Sequence, residues 1–137
     1  MARIIIAYIS TAVIFLVFDL TWLTQVGPQL YNPIVGDILA PEPRMGAAVA
    51  FYLIYVAGLL YFAVLPALAK GDWKDAAVKG GLLGFVAYAT FDLTNQTVLI
   101  VWSTKITLAD MAWGTFVSAV GSAGGALVTG KLSKAAA

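Results

Sequence analysis

Two copies of the tetrapeptide FDLT place a carboxylate inside long apolar stretches of this chain. The copies are residues 18–21 and 91–94, so the carboxylates belong to Asp19 and Asp92. An ionisable side chain in a spanning helix costs roughly 2.5 to 3.5 kcal/mol on the insertion scale, and it normally faces the bundle interior and marks function. We expect these two carboxylates to face each other or a shared polar cavity, where they disfavour double ionisation and can share a proton.

Further candidates share a helix face with the two aspartates or lie on segments that can face them. Positions three or four apart share a face, so Trp22 lies beside Asp19 and Asn95 beside Asp92. The hydroxyls of nearby threonines and tyrosines can donate to the acids, and they can equally act as simple inter-helix glue. The candidate ligand-binding set is Asp19, Thr21, Trp22, Tyr52, Tyr55, Tyr88, Asp92, Thr94, Asn95, Asp110 and Trp113.

Asp110 opens the last apolar segment in the sequence LADMAWG. An acid at a helix N-terminus is favoured by roughly 0.3 to 1 kcal/mol, which predicts a capping role. A third acid over the mouth of the site remains the alternative.

The composition is that of an integral membrane protein. Of 137 residues, 61% are hydrophobic and 11% are charged, whereas charged residues make up about a quarter of soluble domains. Cysteine and histidine are absent, which excludes thiolate and imidazole chemistry, disulfides and the usual zinc ligands. We therefore predict no cofactor and no metal centre. The net charge of +1 gives no reason to expect nucleic acid, and the predicted partners are membrane lipids.

Four apolar segments reach the roughly 20 residues that a spanning helix needs. The sequence predicts an all-α integral membrane protein with four transmembrane helices in a single domain. The predicted spans are 4–25, 46–69, 80–101 and 111–130, with a proline-rich outer loop at 26–45.

Basic residues divide unequally between the two ends of these spans, and the positive-inside rule places the richer end in the cytoplasm. Both termini are therefore predicted to be cytoplasmic. Six basic residues fall on that side, namely Arg3, Lys70, Lys74, Lys79, Lys131 and Lys134, against Arg44 and Lys105 on the other.

The FDLT match extends in both directions, with FLVFDLTWLT at 15–24 against YATFDLTNQT at 88–97. This pattern predicts duplication of a helical hairpin, with two parallel repeats related by an axis along the membrane normal. Small residues also recur at helical spacing, which predicts close helix packing within the bundle, with homo-oligomerisation as the alternative. They are Gly80, Gly81 and Gly84 in the third span and Gly114, Ser118, Gly121 and Gly125 in the fourth.

Three stretches resemble a known family: FYLIYVAGLLYFAVLPAL at 51–68, GLLGFVAYATFDLTNQTVLIVW at 81–102 and DMAWG at 110–114. They are similar to small four-helix proteins, chiefly of bacterial inner membranes, that are grouped as a domain of unknown function. The resemblance covers essentially the whole chain and has YATFDLTN and DMAWG as its hallmarks. It implies a multi-pass inner-membrane protein and implies no activity.

Three functional hypotheses follow. The first is a polar site around the acidic pair that binds or passes a cation, a proton or a small cationic solute. The second is an accessory or structural subunit of a larger membrane complex. The third is an intramembrane lipid-modifying enzyme with aspartates as general acid and base, and it ranks last because no nucleophile or cofactor motif is recognisable.

Overall fold

The structure of the protein, a computed structural model, describes residues 1–135. It is 88% helical, contains no strand in that range, and has four helices long and apolar enough to cross a membrane. The predicted all-α, four-helix membrane fold is thus confirmed. The helices are α1 (Ala2–Gln25), α2 (Met45–Lys70, with a π-helical turn at Leu60–Val64), α3 (Trp73–Val98) and α4 (Thr104–Ala135).

Helix α3 begins at Trp73, earlier than the predicted start at 80. The helix starts there because the Asp72 side chain caps it, accepting a hydrogen bond from the Lys74 backbone amide at 2.9 Å. An ion pair of 2.8 Å between Asp75 and Lys79 supports the first turns. An expectation based on apolar length alone could not include this polar extension.

Helix α4 likewise begins earlier than expected, at Thr104 rather than at 111. Asp110 therefore lies inside the helix, and the predicted capping role for it is wrong. The Ser103 hydroxyl accepts from the Ile106 amide at 3.4 Å and occupies the capping position instead.

The loop at 26–45 is mostly helical. It contains two short α-helices, Gly27–Leu30 and Asn32–Val35, and one turn of 3₁₀-helix at Gly36–Ile38. Each α-helix has a proline in its first turn, where the missing amide donor costs nothing. This loop folds over one end of the bundle, which we call the loop end.

Helices α3 and α4 make the most extensive contact in the bundle. Their backbones approach closely because glycines meet small polar residues. A Cβ at Gly80 would fall 2.6 Å from the Ser118 carbonyl oxygen, and one at Gly84 would collide with the Gly114 carbonyl oxygen. Helix α1 packs on α4 through a second set of close contacts, with Gly121 against the fully buried Phe15. The small residues thus act within the bundle, as the sequence predicted.

Helix α2 packs unevenly. Its π-helical turn contacts α3, whereas its N-terminal half, Met45–Leu59, packs chiefly on α1. This arrangement leaves a space between α2 and α3 toward the loop end of the bundle.

Basic residues gather at the opposite end, where Arg3, Lys70 and Lys131 line one cavity of about 670 Å³. We propose from this distribution that this end of the bundle is cytoplasmic. Since the chain has no native cysteine, Asp37→Cys should react with an impermeant thiol reagent on intact cells, and Lys74→Cys should react only after permeabilisation. The reverse labelling pattern would contradict the orientation.

Candidate functional site

A cavity of about 420 Å³ opens at the loop end, among all four long helices and the folded loop. Six of the predicted site residues line it, namely Asp19, Trp22, Tyr52, Tyr88, Asp110 and Trp113. Four further aromatic residues line it, namely Tyr31, Phe51, Phe91 and Trp102, together with the aliphatic Leu23, Val35, Leu39 and Ala48. Two carboxyl groups therefore face a chamber whose wall is largely aromatic.

Asp19 is buried, and each of its carboxylate oxygens accepts a hydrogen bond from a neutral donor. It accepts a hydrogen bond from the Tyr52 hydroxyl at 2.7 Å and one from the Trp113 indole at 3.1 Å. The Trp113 ring stacks on Trp22, with centroids 4.5 Å apart and planes 11° from parallel. One carboxylate thus joins α1, α2 and α4 at this depth.

Asp110 accepts a hydrogen bond from a residue of the 26–45 loop. The Tyr31 hydroxyl donates to its Oδ1, and the Trp22 indole donates in turn to the Tyr31 oxygen at 3.1 Å. Burial, reinforced by the bond to Asp110, raises the pKa of Tyr31 above its usual value. Tyr31 therefore stays a neutral phenol and acts as a donor at neutral pH.

Asp92 differs from both other acids. Its side chain is completely buried, and neither carboxyl oxygen has a hydrogen-bond partner within residues 1–135. The carboxyl group that lies against it is that of Asp110. Ionised carboxylates only accept hydrogen bonds, so a bond between these two groups requires a proton on one of them.

Asp19 and Asp92 do not pair directly with each other in the structure. Helices α1 and α3 each pack along α4 and scarcely touch one another in the part of the chain that the structure describes. Asp19 consequently reaches Trp113, and Asp92 reaches Asp110. Asp110 and Trp113 are three positions apart on α4, which corresponds to a rise of about 4.5 Å. The two FDLT aspartates therefore lie at nearly the same depth along the bundle. The pair that forms is Asp92 with Asp110.

Five predicted site residues do not line the cavity, namely Thr21, Tyr55, Asp92, Thr94 and Asn95. Thr21 and Thr94 are exposed on the bundle surface, where their hydroxyls donate to carbonyls of their own helices, Val17 at 2.6 Å and Phe91 at 3.0 Å. Asn95 is half-buried and does not belong to the lining. Tyr55 lies next to the cavity rather than in it, with its hydroxyl 2.8 Å from that of Ser118.

The aromatic wall contains residues that the sequence did not single out. Tyr31 stands between Pro28 and Pro33 in the loop, and a tyrosine within a proline-stiffened segment is the signal that could have identified it. Phe91 belongs to the FDLT tetrapeptide itself, and its ring meets that of Trp102 edge to face, 5.6 Å between centroids. Nothing in the sequence marks Phe51.

The two FDLT copies have different surroundings. Asp19 has two donors and Asp92 has none. The internal duplication therefore stays a prediction from the sequence. Within residues 1–135, no three acidic side chains converge in a geometry that could hold a metal ion.

The family model for "Predicted membrane protein (DUF2177)" matches residues 4–127. The chain belongs to the DUF2177 family. The match covers all three acids of the site and most of the four helices, so the cavity of this DUF2177 member lies in the matched part of the chain. No curated protein and no solved structure shows a significant match. The family is described as a membrane protein, and its description gives no activity.

Proposed function

We propose that this protein binds a small organic cation in its aromatic cavity and that binding is linked to a proton held between Asp92 and Asp110. One observation carries the proposal. The cavity presents two carboxyl groups, is walled by aromatic rings, and has no basic residue in its described lining. A site of this kind attracts positive charge that the protein itself does not neutralise.

The wall favours an organic cation. An ammonium group over the face of tryptophan or tyrosine gains roughly 0.5 to 2 kcal/mol, more when it is desolvated. The stacked pair of Trp22 and Trp113 and the ring of Tyr88 supply such faces around Asp19. An ionised carboxylate has about four lone-pair positions, and Asp19 uses only two of them for Tyr52 and Trp113.

The proton of the proposed exchange is held by Asp92 and Asp110, apart from the aromatic faces around Asp19. Burying an ionised carboxylate without a partner is costly, and the group takes up a proton instead. Asp92 is such a group, and its neighbour Asp110 can accept from a protonated Asp92. A cation arriving beside Asp110 favours ionisation of this pair, so the proton leaves to solvent as the cation binds. Binding of one cation thus releases one proton, and the net charge of the site stays the same.

Asp19→Asn should weaken binding of choline, our probe cation, by about 10- to 100-fold. The reason is the loss of an interaction with a charged group, worth roughly 1.5 to 3 kcal/mol. Binding is measured by tryptophan fluorescence in nanodiscs, because three indole rings line the cavity.

The neutral isostere 3,3-dimethylbutan-1-ol is the ligand control, and it should not bind detectably. Asp37→Asn is the matched protein control, since Asp37 is exposed at the same end of the bundle and lies outside the lining. Equal binding of the alcohol and of choline to the wild type would refute the cation site.

One observation favours a second candidate, a structural role such as that of an accessory subunit. Asp19 links α1 to Tyr52 of α2 and Trp113 of α4, as inter-helix glue would. In that case Asp19→Asn, which keeps much of this hydrogen bonding, would barely change the thermal stability, and the wild-type protein would not bind choline.

A further inference from the structure

A cleft of about 460 Å³ separates α2 from α3 at the depth of the membrane spans. It is lined by Phe51, Tyr55, Ala87, Tyr88 and Phe91, and its surface is overwhelmingly apolar. The cleft exists because the N-terminal half of α2 packs on α1 and leaves α3 uncovered. Phe51 and Phe91 are 42% and 56% exposed, so the cleft opens sideways toward lipid.

The cleft and the acidic cavity adjoin each other. Phe51, Tyr88 and Phe91 line both of them. The Tyr88 ring at their junction is packed against Gly114, where no side chain larger than hydrogen would fit. The Tyr88 hydroxyl makes no hydrogen bond with another side chain in the described chain, and it lies within electrostatic reach of Asp19 and Asp110. It is a free donor placed where an apolar path meets two acids.

We propose that the ligand is a single-chain amphiphile with an ammonium head, which enters sideways from the bilayer. The ammonium head occupies the acidic aromatic cavity, and the apolar chain lies along the cleft between α2 and α3. This inference rests on the proposed function, which supplies the cation site. The additional observation is the shape and apolar surface of the cleft. A cation without an apolar chain would gain nothing from contact with this surface, whereas an amphiphile would bury its chain there.

The test compares tetramethylammonium with hexyltrimethylammonium in phosphatidylglycerol nanodiscs, which contain no ammonium lipid. Each methylene buried in the cleft should tighten binding by up to about fourfold, from roughly 0.8 kcal/mol per CH₂. Ala87→Phe fills the cleft and leaves the cavity lining intact, since Ala87 borders only the cleft. This variant should lose most of the preference for the hexyl chain, roughly tenfold or more, and keep wild-type affinity for tetramethylammonium.

Ala57→Phe is the matched control, because Ala57 is exposed on α2 and borders neither space. It should retain the hexyl preference, and since the lipid is the same, partitioning of the probe into the bilayer cancels between variants. If the wild type binds tetramethylammonium but shows no chain preference, or if Ala87→Phe keeps that preference, the inference is overturned and the cation site stands. If the wild type binds neither probe, both the cation site and the inference fail.

A second measurement does not depend on the folding of any variant. A hexyltrimethylammonium analogue with a photoreactive diazirine at the chain end should label wild-type peptides that contain Phe51 or Phe91. Labelling confined to the lipid-facing surfaces of α1 and α4 would overturn the proposed path.

Discussion

Gly84→Ala should destabilise the bundle by roughly 1 to 3 kcal/mol, although alanine is the better helix former. The added Cβ would collide with the Gly114 carbonyl oxygen and the Ser118 side chain. A backbone atom cannot move aside as a flexible side chain does, so α3 and α4 must separate. The loss should appear as a lower midpoint in unfolding by sodium dodecyl sulfate, followed by circular dichroism in mild detergent.

Gly58→Ala is the control for this prediction, because the same change in α2 meets only the Leu83 side chain at an ordinary 4.0 Å. Helix propensity alone then determines the sign of the change in stability. The variant should be as stable as the wild type or up to about 1 kcal/mol more stable. Equal effects at the two positions would mean that the close approach of α3 and α4 is not the main constraint.

The ligand-free protein should hold one protonated carboxyl group at neutral pH, and Asp92→Asn should remove it entirely. In the wild type, the buried Asp92 has no donor except a proton shared with Asp110. In the variant, the side-chain amide introduced at position 92 can donate to Asp110, which also keeps its bond from Tyr31 and can remain ionised. Infrared spectroscopy measures the outcome through the carbonyl stretch of protonated carboxyl groups.

Asp72→Asn serves as the control, because Asp72 is exposed and caps α3 far from the cavity. It should leave the infrared band unchanged. Choline added to the wild type should reduce the band, as the bound cation replaces the proton. A wild-type spectrum without that band at neutral pH would exclude the shared proton between Asp92 and Asp110.

The sequence alone was sufficient to determine the class of fold. Long apolar segments, few charges and small residues at helical spacing predict spanning helices that pack closely, because a backbone in lipid must satisfy its own hydrogen bonds. The same composition identified the two FDLT aspartates as buried, since exposure of a charge to lipid is costly. Both statements depend on local composition and on the solvent, and neither requires knowledge of which helices are neighbours.

The helix ends were predicted less well, because they depend on single polar contacts. Asp72 extends α3 into a polar segment, and Ser103 starts α4 before the apolar run. This shift placed Asp110 inside the helix, where it can reach the site. The sequence had left two roles open for Asp110, a helix cap and a third acid at the site, and the position of one cap removed the first.

Only the tertiary structure decided which acids meet and what surrounds them. Because α1 and α3 both pack on α4, Asp92 faces Asp110, while Asp19 is bonded by Tyr52 and Trp113. The uneven packing of α2 created the cleft, and the folded loop brought Tyr31 over the cavity. These contacts join residues up to 94 positions apart. The repeat of FDLT marked two carboxylates, but their different partners arise from helix packing, which no local pattern encodes.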